Sequence, residues 1–172
     1  MMNNELTPYK PQEGPLDLVA VRLDSNKYPR LKNLPAPVGV SGLAQIIAAA
    51  LAYAGKSLPE EDVRFMAGAL HTELMQDYDG VGTANIALDE VQYCIRRATL
   101  GLGPEMYGIN VSSLYKVVCD YCLHEGRQAQ ETANSRSQAQ RRQALKSSPA
   151  GAMLESYAGR MLKSQSHNSQ DK

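Results

Sequence analysis

The chain has 172 residues, of which 43% are hydrophobic, and its 18 basic and 18 acidic side chains give a formal net charge of zero. This length fits one domain with tails, and the apolar fraction is enough for a modest core. The charge is uneven, because residues 1–125 hold 10 basic and 15 acidic side chains, a net of −5, whereas 126–172 hold 8 and 3, a net of +5. Such a basic tail indicates contact with an anionic partner or with the acidic body of the same chain.

The N-terminus and the cysteines argue against an exported or membrane protein. The first residues, MMNNELTPYKPQEG, have neither the basic region nor the apolar core of a signal peptide. The longest apolar run, at 43–54, is shorter than a bilayer span. Three cysteines are an odd number, which disfavours a disulfide framework. We therefore expect a cytoplasmic protein with reduced thiols and no membrane contact.

The N-terminal segment, 1–40, contains six of the nine prolines. Proline removes a backbone donor and fixes φ, so we predict an extended arm instead of a long helix. Its one apolar island, 16–23, fits either a short strand or a single docked turn.

The segment 41–125 predicts four amphipathic helices, hence an all-α fold with a compact four-helix core. The first runs over 41–54, with Ser41 as N-cap and Gly55 after its end. The second begins at an S-x-x-E capping box, Ser57 to Glu60, and breaks at the glycines of DYDGVGTAN.

The third and fourth predicted helices start at Leu88 and Asn110 and flank a turn with three glycines, GLGPEMYG. In this turn Gly108 permits a positive φ and Asn110 caps the next helix, while Tyr107 and Ile109 are expected to hold the turn onto the core. The apolar stripes of the two helices are Val91, Cys94, Ile95, Ala98 and Leu102, then Val111, Leu114, Val118, Tyr121 and Cys122.

Residues 126–172 change character and predict a polar, basic helical extension followed by a flexible tail. The sequence RQAQETANSRSQAQRRQALK favours helix but has no sustained apolar stripe. This pattern is typical of a solvated helix or of a segment ordered by a partner. Ser147, Ser148 and Pro149 should end it, and 149–162 predicts one last short amphipathic helix.

The sequence offers few constellations that could carry chemistry. Cys119-x-x-Cys122 with His124, and with Cys94 and His71 as further ligands, is the sharpest metal candidate, but its mid-helix position favours buried thiols. The loop at 80–83 lacks the Lys-Ser/Thr of a phosphate-binding loop, and Asp77 and Asp79 are expected to be solvated loop acids. No nucleophile–base spacing is present, so we predict a non-enzymatic protein with no catalytic residue, cofactor or metal.

The basic side chains are the candidate contacts for nucleic acid or for a partner protein. A helix-turn-helix repressor is disfavoured because the connection at 100–110 is long and the body is acidic. The candidate residues are Arg96, Arg97, Lys116, Arg127, Arg136, Arg141, Arg142 and Lys146.

Residues 88–121 resemble a small helical module in a family of proteins of Bacteroidales phages and mobile elements. The resemblance rests on Leu88-Asp89-Glu90-Val91, the glycines at 101–103, Tyr107-Gly108-Ile109-Asn110, and Tyr121 at the end of the second helix. It implies a DNA replication accessory like the phage helicase loaders, with no transferable catalytic residue. We therefore expect an adaptor that docks a protein partner and contacts DNA weakly through its basic extension. The alternative is a generic protein–protein interaction module with no nucleic-acid role.

Overall fold

The computed structural model describes residues 15–148 and Met153, and in that range the chain is all-α, as the hydrophobic periodicity predicted. Short 3-10 turns lie at Leu31–Asn33 and Thr83–Asn85, and a π-helical segment spans Cys122–Gly126. The α-helices are α1 (Leu18–Leu23), α2 (Ala36–Tyr53), α3 (Glu60–Gln76), α4 (Leu88–Thr99), α5 (Val111–Tyr121) and α6 (Arg127–Ser147).

Four helices, α2 to α5, enclose the main hydrophobic core. Helix α2 packs against α3 and α4, and α5 packs against the same two helices. The predicted stripes of α4 and α5 are largely confirmed, but Leu102 is exposed because it lies beyond the last residue of α4. The largest fully buried apolar side chains of these four helices are Leu43, Ile47, Leu70, Leu74, Val91, Ile95, Leu114 and Val117.

The prediction of an extended arm at 1–40 is wrong for 15–40, while residues 1–14 lie outside the described part. The apolar island forms α1, whose N-cap Asp17 accepts hydrogen bonds from the backbone N–H groups of Val19 and Ala20. Val21 and Leu31 are fully buried. This segment therefore belongs to the folded body.

The start of α2 shows why the prolines misled the prediction. Helix α2 begins at Ala36, five residues before the predicted N-cap Ser41, with Pro35 as its N-cap and Pro37 in its first turn. The first turn has no intrahelical use for an N–H group, so proline fits there without cost. Gly55 follows the helix with φ 65°, as predicted.

The early start also lengthens the apolar helix beyond the predicted run at 43–54. Helix α2 has 18 residues with a mean hydropathy of 1.5, which is long and apolar enough to cross a membrane by length and composition alone. In the structure 39% of it is buried, and it packs against α3 and α4.

Helix α3 lacks the predicted capping box. It begins at Glu60 after the N-cap Pro59, and no side-chain hydrogen bond closes its first turn. At its other end Asp77 adopts φ 46°. The Asp77 carboxylate accepts hydrogen bonds from the N–H groups of Gly82 and Thr83, at 3.0 and 3.1 Å, so it organises the following loop and is not a solvated acid.

The turn between α4 and α5 matches its prediction in part. The Asn110 side chain accepts from the Ser113 N–H at 2.9 Å, and Gly108 has φ 87°. Ile109 packs against the core. Tyr107 does not, because it is 83% exposed and its hydroxyl donates to Glu105.

From α5 through the π-helical segment into α6, over residues 111–147, the chain is continuously helical. The chain forms two compact units, Met1–Glu131 and Thr132–Lys172, so their boundary lies within α6. The predicted boundary at 125 and 126 stays a prediction. Helix α6 ends at Ser147, where the serines and Pro149 were predicted to stop it. The predicted helix at 149–162 lies outside the described residues apart from Met153.

A first prediction concerns the close approach of α2 and α4. A Cβ at Gly42 would lie 2.5 Å from Leu88 Cδ1, and Leu88 is itself buried. We expect Gly42→Ala to lower the free energy of unfolding by about 1–3 kcal/mol, since the core must shift to admit the methyl group. Gly68→Ala is the matched control, because nothing lies within 4 Å of its Cβ on α3. Gly68→Ala should raise the free energy of unfolding by about 0.5–1 kcal/mol in urea denaturation. A change in the same direction for both variants would contradict the prediction.

A second prediction follows from His71 on α3, which packs against Gly39. Its Nε2 is buried with no hydrogen-bond partner among the described residues, and burial lowers the pKa of His71 below its ordinary 6.5. The unfolded chain therefore takes up a proton on His71 at a higher pH than the folded chain does. Stability from this group is complete above pH 6.5 and is lost as the pH falls below it. We expect His71→Gln to reduce the loss of unfolding free energy between about pH 7.5 and about pH 5.5; equal losses in both proteins would refute it.

Candidate functional site

The carboxylate of Glu90 is the centre of a buried polar cluster. Glu90 is fully buried on α4. Its Oε2 accepts hydrogen bonds from Arg30 Nη1 at 3.1 Å and from the Ala87 N–H at 2.9 Å, and its Oε1 accepts from the Tyr121 hydroxyl at 2.6 Å. Arg22 Nε lies 2.6 Å from Oε1 as an ion pair without hydrogen-bond alignment. We call these four side chains, Arg22, Arg30, Glu90 and Tyr121, the Glu90 cluster.

Backbone contacts position Glu90 and Arg30 within the Glu90 cluster. Glu90 is the third residue of α4, so its side chain reaches back to the N-cap Ala87, which has no side-chain oxygen to return the bond. Arg30 also donates to the carbonyl groups of Val21 and Arg22 at 2.9 and 3.2 Å. An antiparallel bridge joins Arg30 to Ala87. Arg30 thereby ties the end of α1 to the start of α4.

The cluster holds two positive charges and one negative charge. Burial lowers the pKa of Arg30, and the charge of Glu90 opposes that effect. Burial, followed by the charge of Glu90, raises the pKa of Tyr121 above its ordinary 10.0, so the tyrosine stays protonated and donates. Arginine keeps its proton in proteins. Two guanidinium groups, a phenolic hydroxyl and a backbone N–H therefore surround the Glu90 carboxylate.

A cleft of about 630 Å³ borders the cluster on the side of Arg22 and the loop 80–82. Gly126 lies in its wall, where a Cβ would approach Arg22 Nη2 to 3.1 Å. Its other charged side chains have protein partners: Arg127 Nε pairs with Glu131 at 3.1 Å, and Asp79 accepts a hydrogen bond from Tyr115. Asp79 is therefore not a free loop acid either.

The cysteine and histidine positions do not assemble a metal site in the described chain. Cys94, Cys119 and Cys122 are buried free thiols, as their apolar surroundings predicted for Cys94 and Cys122. Burial raises the pKa of all three thiols, that of Cys122 to about 12. A protonated thiol is neither a nucleophile nor a metal ligand. No group of three or more His, Cys, Asp and Glu side chains in the residues described could hold a metal ion.

The predicted contacts on α4 and α5 divide into one bound and two exposed residues. Arg97 forms an ion pair with Glu125 and donates to the Tyr93 hydroxyl and to the Leu102 carbonyl at 3.1 and 2.9 Å. Arg97 therefore connects α4 to Glu125 and to the turn that follows α4. Arg96 and Lys116 are exposed, and the Arg96 guanidinium lies over the Tyr53 ring at 5.7 Å.

The predicted contacts on α6 comprise one paired arginine, three exposed arginines and Lys146. Arg127 pairs with Glu131, whereas Arg136, Arg141 and Arg142 are exposed. The Lys146 backbone is helical, and its side chain lies outside the described part of the chain. The last three arginines belong to the unit that begins at Thr132.

Sequence reasoning missed the Glu90 cluster. Arg30 lies 60 positions and Arg22 lies 68 positions before their partner Glu90 in the sequence. No local sequence pattern indicates ion pairs over such separations. The one available signal was a glutamate in the first turn of an amphipathic helix, where a capping carboxylate is favourable.

Comparison of the chain with protein-family models finds no matching family. Neither the curated proteins nor the solved structures give a match.

A third prediction tests the Glu90 cluster. Glu90→Gln would leave two buried guanidinium groups without a negative partner, and we expect it to lower the free energy of unfolding by about 3–5 kcal/mol. Glu125→Gln is the matched control, because its partner Arg97 is partly exposed. That substitution should cost about 0–1 kcal/mol. Chemical denaturation of both variants measures the difference, and similar losses would show that burial of Glu90 is not what matters.

Proposed function

We propose that this chain is a non-enzymatic interaction protein that docks a protein partner through its helical body and contacts DNA through α6. The observation that carries the proposal is the set of exposed arginines, Arg136, Arg141 and Arg142, on a helix with no sustained apolar stripe. Residues 88–121 resemble proteins of phages and mobile elements. This resemblance supports a role as an accessory protein in DNA replication.

The charge of α6 supports a phosphate contact. Between Arg127 and Ser147 the sequence has five basic residues and one acidic residue, so five minus one gives a net charge of +4. Successive helical residues are about 100° apart, which places Arg141 about 140° and Arg142 about 240° around the axis from Arg136. Arginines on several sides of one helix suit contact with a phosphate backbone more than the reading of one groove.

The internal chemistry of the body supports a binding role over a catalytic one. The buried ionisable groups, Glu90 and Tyr121, bind each other and two arginines, and the thiols are kept protonated by burial. These groups are engaged in holding the fold.

A second candidate function is a protein–protein module with no contact to nucleic acid. It is favoured by Phe65, which is 78% exposed on α3, and by an apolar groove of about 980 Å³ between α2 and α3.

A fourth prediction tests the DNA contact. We expect the full-length protein to bind fluorescent single- and double-stranded DNA in anisotropy titrations, with affinity that falls steeply between about 50 and about 200 mM salt. The variant R136Q/R141Q/R142Q should bind at least about tenfold more weakly at low salt. In a plot of the logarithm of the binding constant against the logarithm of the salt concentration, the slope for duplex DNA should become less steep by about 0.9 for each lost phosphate contact.

The control variant is R136K/R141K/R142K, which keeps the three charges and a comparable helix propensity. It should bind nearly as well as the unmodified protein. Unchanged binding by the glutamine variant would remove α6 as the DNA contact. A failure of the full-length protein to bind at low salt would favour the protein–protein module.

A further inference from the structure

A second groove, of about 430 Å³, lies along the outer side of α4. Its wall on the C-terminal side is apolar and open, because Leu100 is 52% exposed and Leu102 is 64% exposed. Pro15, Leu16 and Tyr93 complete its apolar lining.

The backbone of this wall is fixed in place. The Leu102 N–H donates to the Arg97 carbonyl at 2.8 Å, and the Leu102 carbonyl accepts from Arg97 Nη2 at 2.9 Å. Gly101 has φ 72°, a conformation that returns the chain toward α4 at little cost. The two leucines are therefore held outward by the fold, and their exposure does not come from a loose end.

The charged side chains make the two ends of the groove different. Arg96 lines it and is exposed, and the ion pairs of the described residues include none to Arg96. The neighbouring Arg97 is compensated by Glu125. Asp89 lines the other end, two helical turns or about 10 Å away along α4. The end near Leu100 thus carries the positive charge of Arg96, which lies over the Tyr53 ring and forms none of the ion pairs seen among the described residues.

We propose that this groove docks a short apolar segment of a partner protein that carries a carboxylate beside its apolar side chains. The carboxylate pairs with Arg96, and the apolar side chains cover Leu100 and Leu102. A charge next to an apolar patch selects partners by steering as well as by contact. This inference rests on the proposed docking function and names the surface and the chemistry of the partner.

The larger groove between α2 and α3 offers no such selection. Its arginine, Arg64, already pairs with Glu60 at 2.7 Å, so no uncompensated charge there defines an occupant.

A fifth prediction tests the α4 groove with a random library of 12-residue peptides displayed on phage and selected on the full-length protein. We expect the enriched peptides to combine aliphatic or aromatic residues with Asp or Glu. Resynthesised peptides should bind Arg96→Glu and Leu102→Ser at least about tenfold more weakly in anisotropy titrations. Arg96→Lys should keep most of the affinity. Lys32→Glu, an exposed charge reversal away from the groove, should leave it unchanged.

Several outcomes would overturn the proposal. Enriched peptides that are basic, or that bind Arg96→Glu and Leu102→Ser as tightly as the unmodified protein, would exclude this groove, and so would a selection without a common pattern. The DNA titration is repeated with Arg96→Glu, and loss of DNA binding there would make this face a nucleic-acid surface. Because the α6 variants test DNA binding separately, failure of one proposal is distinguishable from failure of the other.

Discussion

The burial of one carboxylate, that of Glu90, determines how the N-terminal segment joins the helical core. Removing an ion from water costs several kcal/mol, and two arginines, one tyrosine and one backbone N–H offset that cost around Glu90. Because both arginines come from residues before α2, the carboxylate cannot be satisfied unless that segment is in place. The polar cluster therefore makes folding of the N-terminal segment and of the four-helix core a single event.

This constraint also specifies one arrangement among several. Apolar surfaces tolerate sliding, whereas a buried ion with four partners has few alternative geometries. Tyr121 brings α5 into the same cluster, and Gly126 lets the chain pass close to Arg22. The start of α4 and the end of α5 are thus positioned against α1 by directional bonds, while α2 and α3 pack through apolar side chains.

The sequence predicted the parts of this structure that depend on local pattern. The apolar stripes of α4 and α5 repeat every one or two helical turns, so their spacing is sufficient to predict the helices. The cap at Asn110 is also local, because its side chain binds a backbone N–H three residues away. The start of α2 was misplaced because proline is unfavourable inside a helix but suitable in its first turn. The Glu90 cluster and the Arg97–Glu125 pair could not be foreseen, because each joins residues that only the tertiary fold brings together. For the same reason the sequence could not separate Arg97, which braces a turn, from Arg96, which is exposed.

The π-helical segment at Cys122–Gly126 changes the rotation about the helix axis of the residues that follow it. A π-helical turn contains one more residue than an α-helical turn, so the residues after it are rotated by about 100° relative to an unbroken helix. In its geometry the segment is equivalent to one extra residue between α5 and α6. Homologous chains that lack one residue here would be expected to run from α5 into α6 as a regular α-helix, and an alignment should allow a one-residue gap at this point.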